Sequence, residues 1–354
     1  MGKLTFTVSL RNQESYLESI DVLSPSFVKQ IKTTLNKFDK FCKAKFNESE
    51  EGILSQLMKQ KQDERIINAC DTLQFFISSL NKTISPQTIP SYLSHVVGYF
   101  NYRGIKLTSL DKKSIRYPKV IKEEKYPLSK NDIKQILDHA SYKRKILYLT
   151  LSSSGMRIGE TIALRKKDFD ISGKRIMINI PAIVTKTLKS RRTLVSLEAK
   201  PYLMQRLDEI EDNDLVFATN KKESSVISEV TETKLFSQLI DKVFPNLERY
   251  ESNTRKITLH SFRSFFITQA VRTVGESFAH ALAGQEGYLK MYKRYDNEAL
   301  LEDYLKLEPN LFILRDFGLS DQTKDKRIED LESNVKKLEI MFSALKEERE
   351  NKSS

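Results

Sequence analysis

The chain has 354 residues, 39% hydrophobic and 30% charged, with a formal net charge of +12. That length is too great for one ordinary core, and the basic excess points to a polyanion, nucleic acid ahead of a membrane surface. No run of about 18 apolar residues exists to span a bilayer. Cys42 and Cys70 read as reduced core thiols rather than a disulfide framework, and His95, His139, His260 and His280 lack zinc-ligand spacing.

MGKLTFTVSLRNQ carries no signal-like apolar core, so the protein is expected to be cytoplasmic. Residues 1–23 read as an irregular or strand-like lead. From Ser24 the pattern turns helical, with Phe27, Ile31, Leu35, Phe38 and Phe41 at spacings of three and four. Two further helical segments follow, Ile53–Lys61 and Asp63–Leu80, and then SPQTIPSYLSHVVGYFNYRG, which ends at Gly104. Residues 106–127 concentrate charge and prolines and break the periodicity, as a linker does.

Beyond it, Ser129-x-x-Asp132 opens a helix, and KRKILYLTLSSSGMRIGETIAL continues as an apolar helical pair. From Asp168 the period changes to two: a Ser-Gly turn, then Ile176, Ile178 and Ile180 in alternation, then a second β-prone run after the basic turn VTKTLKSRRT. Helices resume at LEAKPYLMQRLDEI and run to about Leu307. In the tail, Ile328, Leu331, Val335, Leu338, Phe342 and Leu345 form an a/d seam. The tail predicts a short self-associating helix or one folded back on the body. Residues 321–354 hold 8 Lys/Arg against 9 Asp/Glu, so the basic excess lies elsewhere in the chain.

Three local patterns carry chemistry. In GMRIGE, Arg157 stands behind a glycine at a helix start, where pairing with Glu160 is an alternative use for it. In LHSFRSFF, His260 and Arg263 share one helix face while Phe262, Phe265 and Phe266 take the other. In AGQEGYLKMYKRY, Tyr288, Tyr292 and Tyr295 fall at helical spacing among basic residues. Together these parts suit transesterification at a phosphodiester. Two guanidiniums clamp non-bridging oxygens, an imidazole moves a proton and a phenol attacks. Lys186, expected at the end of the first strand on a β-hairpin, supplies a proton for the leaving 5′-oxygen, with Lys189 as a second candidate. Lys189, Arg191 and Arg192 read as DNA-backbone contacts.

Arg157 in GMRIGE, Lys186 in VTKTLKSRRT, HSFR at 260–263 and a following tyrosine, in that order, resemble the tyrosine recombinase (phage integrase) family in its archaeal or viral style. The similarity covers about 128–307, and the preceding helical unit resembles the family's core-binding domain. The resemblance implies a fold that is mainly α with a small antiparallel β-sheet. Its parts are a helical core-binding domain (1–105), a linker (106–127), a catalytic domain (128–312) and a C-terminal coiled-coil helix (313–354). It further implies a site-specific recombinase that clamps double-stranded DNA, cuts it through a 3′-phosphotyrosyl link and rejoins it as a tetramer, with no cofactor, metal or ATP. Alternatives are a catalytically impaired DNA-binding protein of the same fold, and a topoisomerase IB or telomere-resolvase-like enzyme.

Two departures from the family pattern stand out. Gln285, after Gly284, occupies the place where relatives usually carry His or Trp; it donates a hydrogen bond but does not titrate. His280 reads as a packing residue. The nucleophile is expected to be Tyr292, from the local Tyr-x-Arg pattern, with Tyr295 as the alternative because its distance from His260 suits the family better. Tyr288 reads as packing.

Overall fold

The computed structural model describes residues 11–81, 83–217, 229–285 and 296–314. The chain divides into two compact units, Met1–Glu124 and Lys125–Ser354.

In the first unit, helices α1 (Gln13–Ser19), α2 (Pro25–Phe46), α3 (Glu50–Lys59), α4 (Gln62–Leu80) and α5 (Ile89–Tyr102) enclose a core that includes Leu35, Phe38, Leu73, Phe76, Val96 and Phe100. The α2 stripe buries Ile31, Leu35 and Phe38, while Phe27 stays exposed with its ring edge-on to His95. Cys42 and Cys70 are buried and unbridged. Burial, then the nearby Glu50 and Asp39 carboxyls, push the Cys42 thiol up to about 12.

Helix α1 corrects the expectation of an irregular or strand-like lead. The Asn12 side chain accepts from the Ser15 N–H, and Ser15 Oγ accepts from the Asn12 N–H. Tyr16 packs on the rings of Tyr99 and Tyr102. QESYLES holds two adjacent apolar residues, too few for a period, so the cap rather than patterning makes this helix. Past α5, Leu107 and Ile115 reach back into the same core around a 3₁₀ turn at Asp111–Ser114.

The second unit opens with α6 (Lys130–His139), whose start is the reciprocal Ser129–Asp132 box. Then come α7 (Tyr142–Ser154), the short α8 (Ile158–Ile162) and three antiparallel strands in the order β1 (Phe169–Asp170), β2 (Met177–Ile180) and β3 (Arg191–Leu194). Ile176, Ile178 and Ile180 all point inward. Helices α9 (Lys200–Asp208), α10 (Glu229–Val243), α11 (Leu259–Thr273), α12 (Glu276–Ala283) and α13 (Asn297–Leu307) follow. Tyr148 of α7, Phe236 of α10 and Phe262 of α11 form an aromatic cluster with centroids 5.3–5.6 Å apart. The architecture is therefore mainly α with a small antiparallel sheet. The tail seam from Ile328 to Leu345 lies outside the described residues.

Two carboxylates tie residues 308–314 to the segments that flank the sheet. Glu308 accepts a forked pair of 2.6 Å bonds from Arg175, and Glu198 accepts the N–H groups of Ile313 and Leu314 at 2.7 Å. Tyr304 of α13 donates to the Ser153 carbonyl at the end of α7.

Candidate phosphate-clamping site

The site is organised by the end of α7. Gly155 caps that helix with φ +65, a left-handed conformation that favours glycine, and turns the chain into α8. A Cβ there would lie 2.2 Å from Phe266 Cδ1, so the glycine also permits α11 to press against the turn. Its carbonyl accepts a 2.7 Å bond from Arg263 Nη1. One glycine thus fixes Arg157, two residues on, beside a side chain from a helix a hundred residues later.

Arg157 is the N-cap of α8, and its guanidinium is part-exposed. Glu160 accepts from Arg157 Nη1 at 2.9 Å and from the Arg157 N–H at 3.0 Å, so the local pairing noted in the sequence does form. The same carboxylate takes a second arginine: Arg191 Nη2 donates to it at 2.5 Å. Burial would raise the Glu160 pKa, but Arg191 and then Arg157 outweigh it and hold the carboxyl below its ordinary value.

Helix α11 starts at a Thr258–Ser261 capping box and places His260 in its first turn and Arg263 one turn on. Phe262, Phe265 and Phe266 are buried as expected, but Arg263 is buried with them, at 1% exposure. Among the described residues its Nε and Nη2 have no hydrogen-bond partner. Burial, then the charges of Arg157 and Arg191, push its pKa down to about 10. His260 is exposed, though part of it is desolvated. That desolvation, then Arg263 and Arg157, lower its pKa below the ordinary 6.5, which favours the neutral imidazole.

The remaining predicted residues are placed as follows. Lys186 is not at the end of a strand: β2 stops at Ile180 because Pro181 offers no N–H to the ladder. A 3₁₀ turn at Ala182–Val184 follows, then a loop pinched by Thr185, whose Oγ1 accepts from the Lys189 N–H and donates to its carbonyl. Lys186 sits exposed in that loop, with no hydrogen bond or ion pair among the described residues, and Lys189 is also exposed. Arg192 donates to Asn297 at the start of α13. Gln285 is half-buried just past α12 and donates its N–H to the His280 carbonyl at 3.0 Å. His280 is half-buried, 3.8 Å from Glu276 on its own helix. Tyr288, Tyr292 and Tyr295 lie outside the described residues.

Geometry therefore brings Arg157, His260 and Arg263 together with Glu160, whose pairing with Arg157 the sequence offered, and with Arg191, whose reach to that carboxylate it did not. The Arg-x-x-Glu spacing was a signal for Glu160; nothing local signalled that Arg191 reaches across to it. The Arg157 guanidinium beside the unpaired buried donors of Arg263 has the chemistry to receive a tetrahedral oxyanion such as a phosphodiester, while Arg191 is spent on Glu160. Among the described residues no cluster of His, Cys, Asp or Glu would hold a metal ion.

Residues 127–284 match the model of the phage integrase family. An integrase of Staphylococcus phage L54a is 26% identical over 151 residues, which are 36% of this chain and 43% of that protein, so the match spans less than half of the relative's length. In fold, the chain resembles a lambda integrase(75-356) dimer bound to a COC′ core site (TM-score 0.56, 12% identity, 81% of this chain and 100% of that one). It likewise resembles the XerH site-specific recombinase bound to palindromic difH substrate in a post-cleavage complex (TM-score 0.53, 19% identity, 82% of each chain). Residues 127–284, whose arginines and histidine meet at the end of α7, are thus the part of this chain that matches the phage integrase family.

Proposed function

We propose that the protein is a site-specific DNA recombinase of the integrase or excision type, acting on double-stranded DNA in the cytoplasm. The observation that carries this reading is the buried Arg263, whose Nε and Nη2 lack hydrogen-bond partners among the described residues, beside Arg157 and a neutral His260. A desolvated guanidinium is costly to keep in a fold unless an anion uses it. In this reading Arg157 and Arg263 hold the non-bridging oxygens of the scissile phosphate, and His260 accepts a proton as the tyrosine hydroxyl attacks phosphorus. The P–O5′ bond breaks, a 3′-phosphotyrosyl ester forms, and Lys186 protonates the leaving 5′-oxygen. Gln285 donates a hydrogen bond to the phosphate. Because one ester replaces another, the chemistry needs no ATP. Residues 1–105 serve as the core-binding domain and 128–312 as the catalytic domain, working as a tetramer on DNA, with the 313–354 tail as a coiled-coil helix.

The test is covalent trapping on nicked suicide duplexes carrying a randomised tract, followed by sequencing of the DNA that stays attached to protein. Wild type should form an adduct. Its loss in Tyr292→Phe alone names Tyr292, and loss in Tyr295→Phe alone names Tyr295. Salt-sensitive binding with no adduct would leave only a DNA-binding protein of the same fold. Cleavage and religation without strand transfer to a partner duplex would favour the topoisomerase-like alternative. A 5′-thio leaving group needs no proton, so it should restore cleavage to Lys186→Ala; no restoration rules Lys186 out as the acid.

A further inference from the structure

The strand residue Arg191 follows the basic turn and reads from sequence as one more backbone contact to DNA. Its surroundings point elsewhere. The side chain is only 9% exposed, although its neighbours Lys189 and Ser190 are exposed. Its donors are committed within the protein: Nη2 to Glu160 Oε2 at 2.5 Å, Nη1 to Glu160 Oε1 at 3.3 Å and Nε to the Leu282 carbonyl at 2.9 Å.

Each of those contacts leads to a residue of the site. Both oxygens of Glu160 are shared, Oε1 between Arg191 and the Arg157 guanidinium, Oε2 between Arg191 and the Arg157 N–H. The Leu282 carbonyl belongs to the last turn of α12, and the guanidinium then lies over Gly284. That glycine has φ +67, and a Cβ on it would sit 2.8 Å from Arg191 Nε and 2.9 Å from Cδ and Cζ. Gln285 comes next. One guanidinium therefore joins the start of α8, the end of α12 and the strand that follows the Lys186 loop. A lysine cannot reproduce this, because a single ammonium lacks the planar fork needed to grip a carboxylate edge-on while a third N–H reaches a carbonyl.

We infer that Arg191 is a positioning residue, which sets Glu160 and through it the Arg157 guanidinium, and which holds the end of α12 so that Gln285 faces the same phosphate. This rests on the phosphate-clamping reading proposed above. A misplacement of about 1 Å in a reacting constellation lowers rate by about 100-fold. Arg191→Met should therefore slow adduct formation at saturating DNA by about that factor. DNA affinity and its salt slope should stay unchanged, since no phosphate contact is lost. Arg191→Lys should recover only part of the rate. Gly284→Ala should reproduce the Arg191→Met defect, because the new Cβ displaces the same guanidinium.

The decisive substrate is the trapped duplex with one non-bridging oxygen of its scissile phosphate replaced by methyl. A neutral phosphonate has less need of an aligned arginine clamp, so Arg191→Met should lose much less rate on it than on the phosphodiester. General loosening of the fold would slow both substrates alike. Equal loss on both, a rate within about threefold of wild type, or a salt slope shallower by about one unit would each overturn the inference. If wild type forms no adduct with any duplex, the reaction reading fails, and a titration with inorganic phosphate still decides the positioning role. Phosphate should raise the Tm of wild type more than that of Arg191→Met, and equal shifts would overturn the role.

Discussion

Replacing Gly155 by alanine tests the claim that one turn assembles the site. The methyl would meet Phe266 Cδ1 at 2.2 Å, Cε1 at 2.7 Å and Cγ at 2.9 Å, and Phe266 is fully buried, so its ring cannot swing into solvent. The residue would also have to hold φ +65. Left-handed backbone costs an alanine about 1–2 kcal/mol and overpacking about 1–3 kcal/mol, together about 2–5 kcal/mol. For a unit of this size that is a Tm drop of about 4–20 °C, measured by near-UV circular dichroism or calorimetry. Because α11 carries both His260 and Arg263, the shift that relieves the clash moves them away from Arg157, and adduct formation should fall more than the stability loss alone explains. Adding Phe266→Leu should return the steric part of the loss but not the backbone part. Gly173→Ala is the control, since its Cβ meets only the Arg175 carbonyl, at 3.5 Å. A Gly155→Ala protein that melts within about 1 °C of wild type and cleaves normally would refute the reasoning.

Arg263→Met should slow adduct formation by about 10²–10³-fold without lowering Tm, because it removes a desolvated charge with two unpaired nitrogens; a clear drop in Tm would mean that the guanidinium serves the fold. His260 is held below 6.5, so the unfolded chain takes up its proton first as pH falls. Stability should therefore decline as pH drops through the window below 6.5, and His260→Gln should flatten that slope in denaturant titrations. At subsaturating DNA the acid limb of the cleavage profile should also lie below 6.5; a limb at or above that value would contradict a desolvated imidazole. Glu50 in the first unit is pushed above the ordinary carboxylate value of 4.5, first by burial and then by its partner Asp39. The native state thus holds a proton that the unfolded state has released, so stability falls as pH rises above 4.5. Glu50→Gln should stabilise that unit at pH 8 and not at pH 4, and a urea titration giving equal shifts at both values would dispose of the idea.

Much of this was legible in sequence because the residues involved obey local rules. The alternation of Ile176, Ile178 and Ile180 predicted a strand buried on one face, and all three are buried. Ser129-x-x-Asp132 predicted a capping box, and it forms. Helix α1 escaped because its determinant is a reciprocal side-chain cap, with its packing partners Tyr99 and Tyr102 eighty residues away. The hairpin around Lys186 forms, with β2 and β3 antiparallel, but Lys186 does not end its first strand, although the β pattern continues on both sides. Pro181 ended the ladder early, and the Thr185 side chain closed the loop instead. The burial of Arg263 was hidden for another reason. Helical periodicity places it opposite the phenylalanines, but the close approach of α7 at Gly155 covers that face as well.

That covering has a consequence for the balance of the site. A glycine at position 155 removes the one side chain that would keep α11 from α7, and the contact it permits strips solvent from Arg263. The same contact leaves the Gly155 carbonyl as the only hydrogen-bond partner of the guanidinium among the described residues. Glu160 favours the charge of Arg263, yet its oxygens are already bonded to Arg157 and Arg191, whose charges oppose that of Arg263. The fold thus keeps one carboxylate among three guanidiniums at the cost of native stability. An anion that bridges Arg157 and Arg263 reverses that cost on binding, and the reversal grows as charge accumulates on its oxygens. In the reaction proposed above, such a site would favour the pentacoordinate state, where negative charge on the phosphorus oxygens is greatest, over the bound diester.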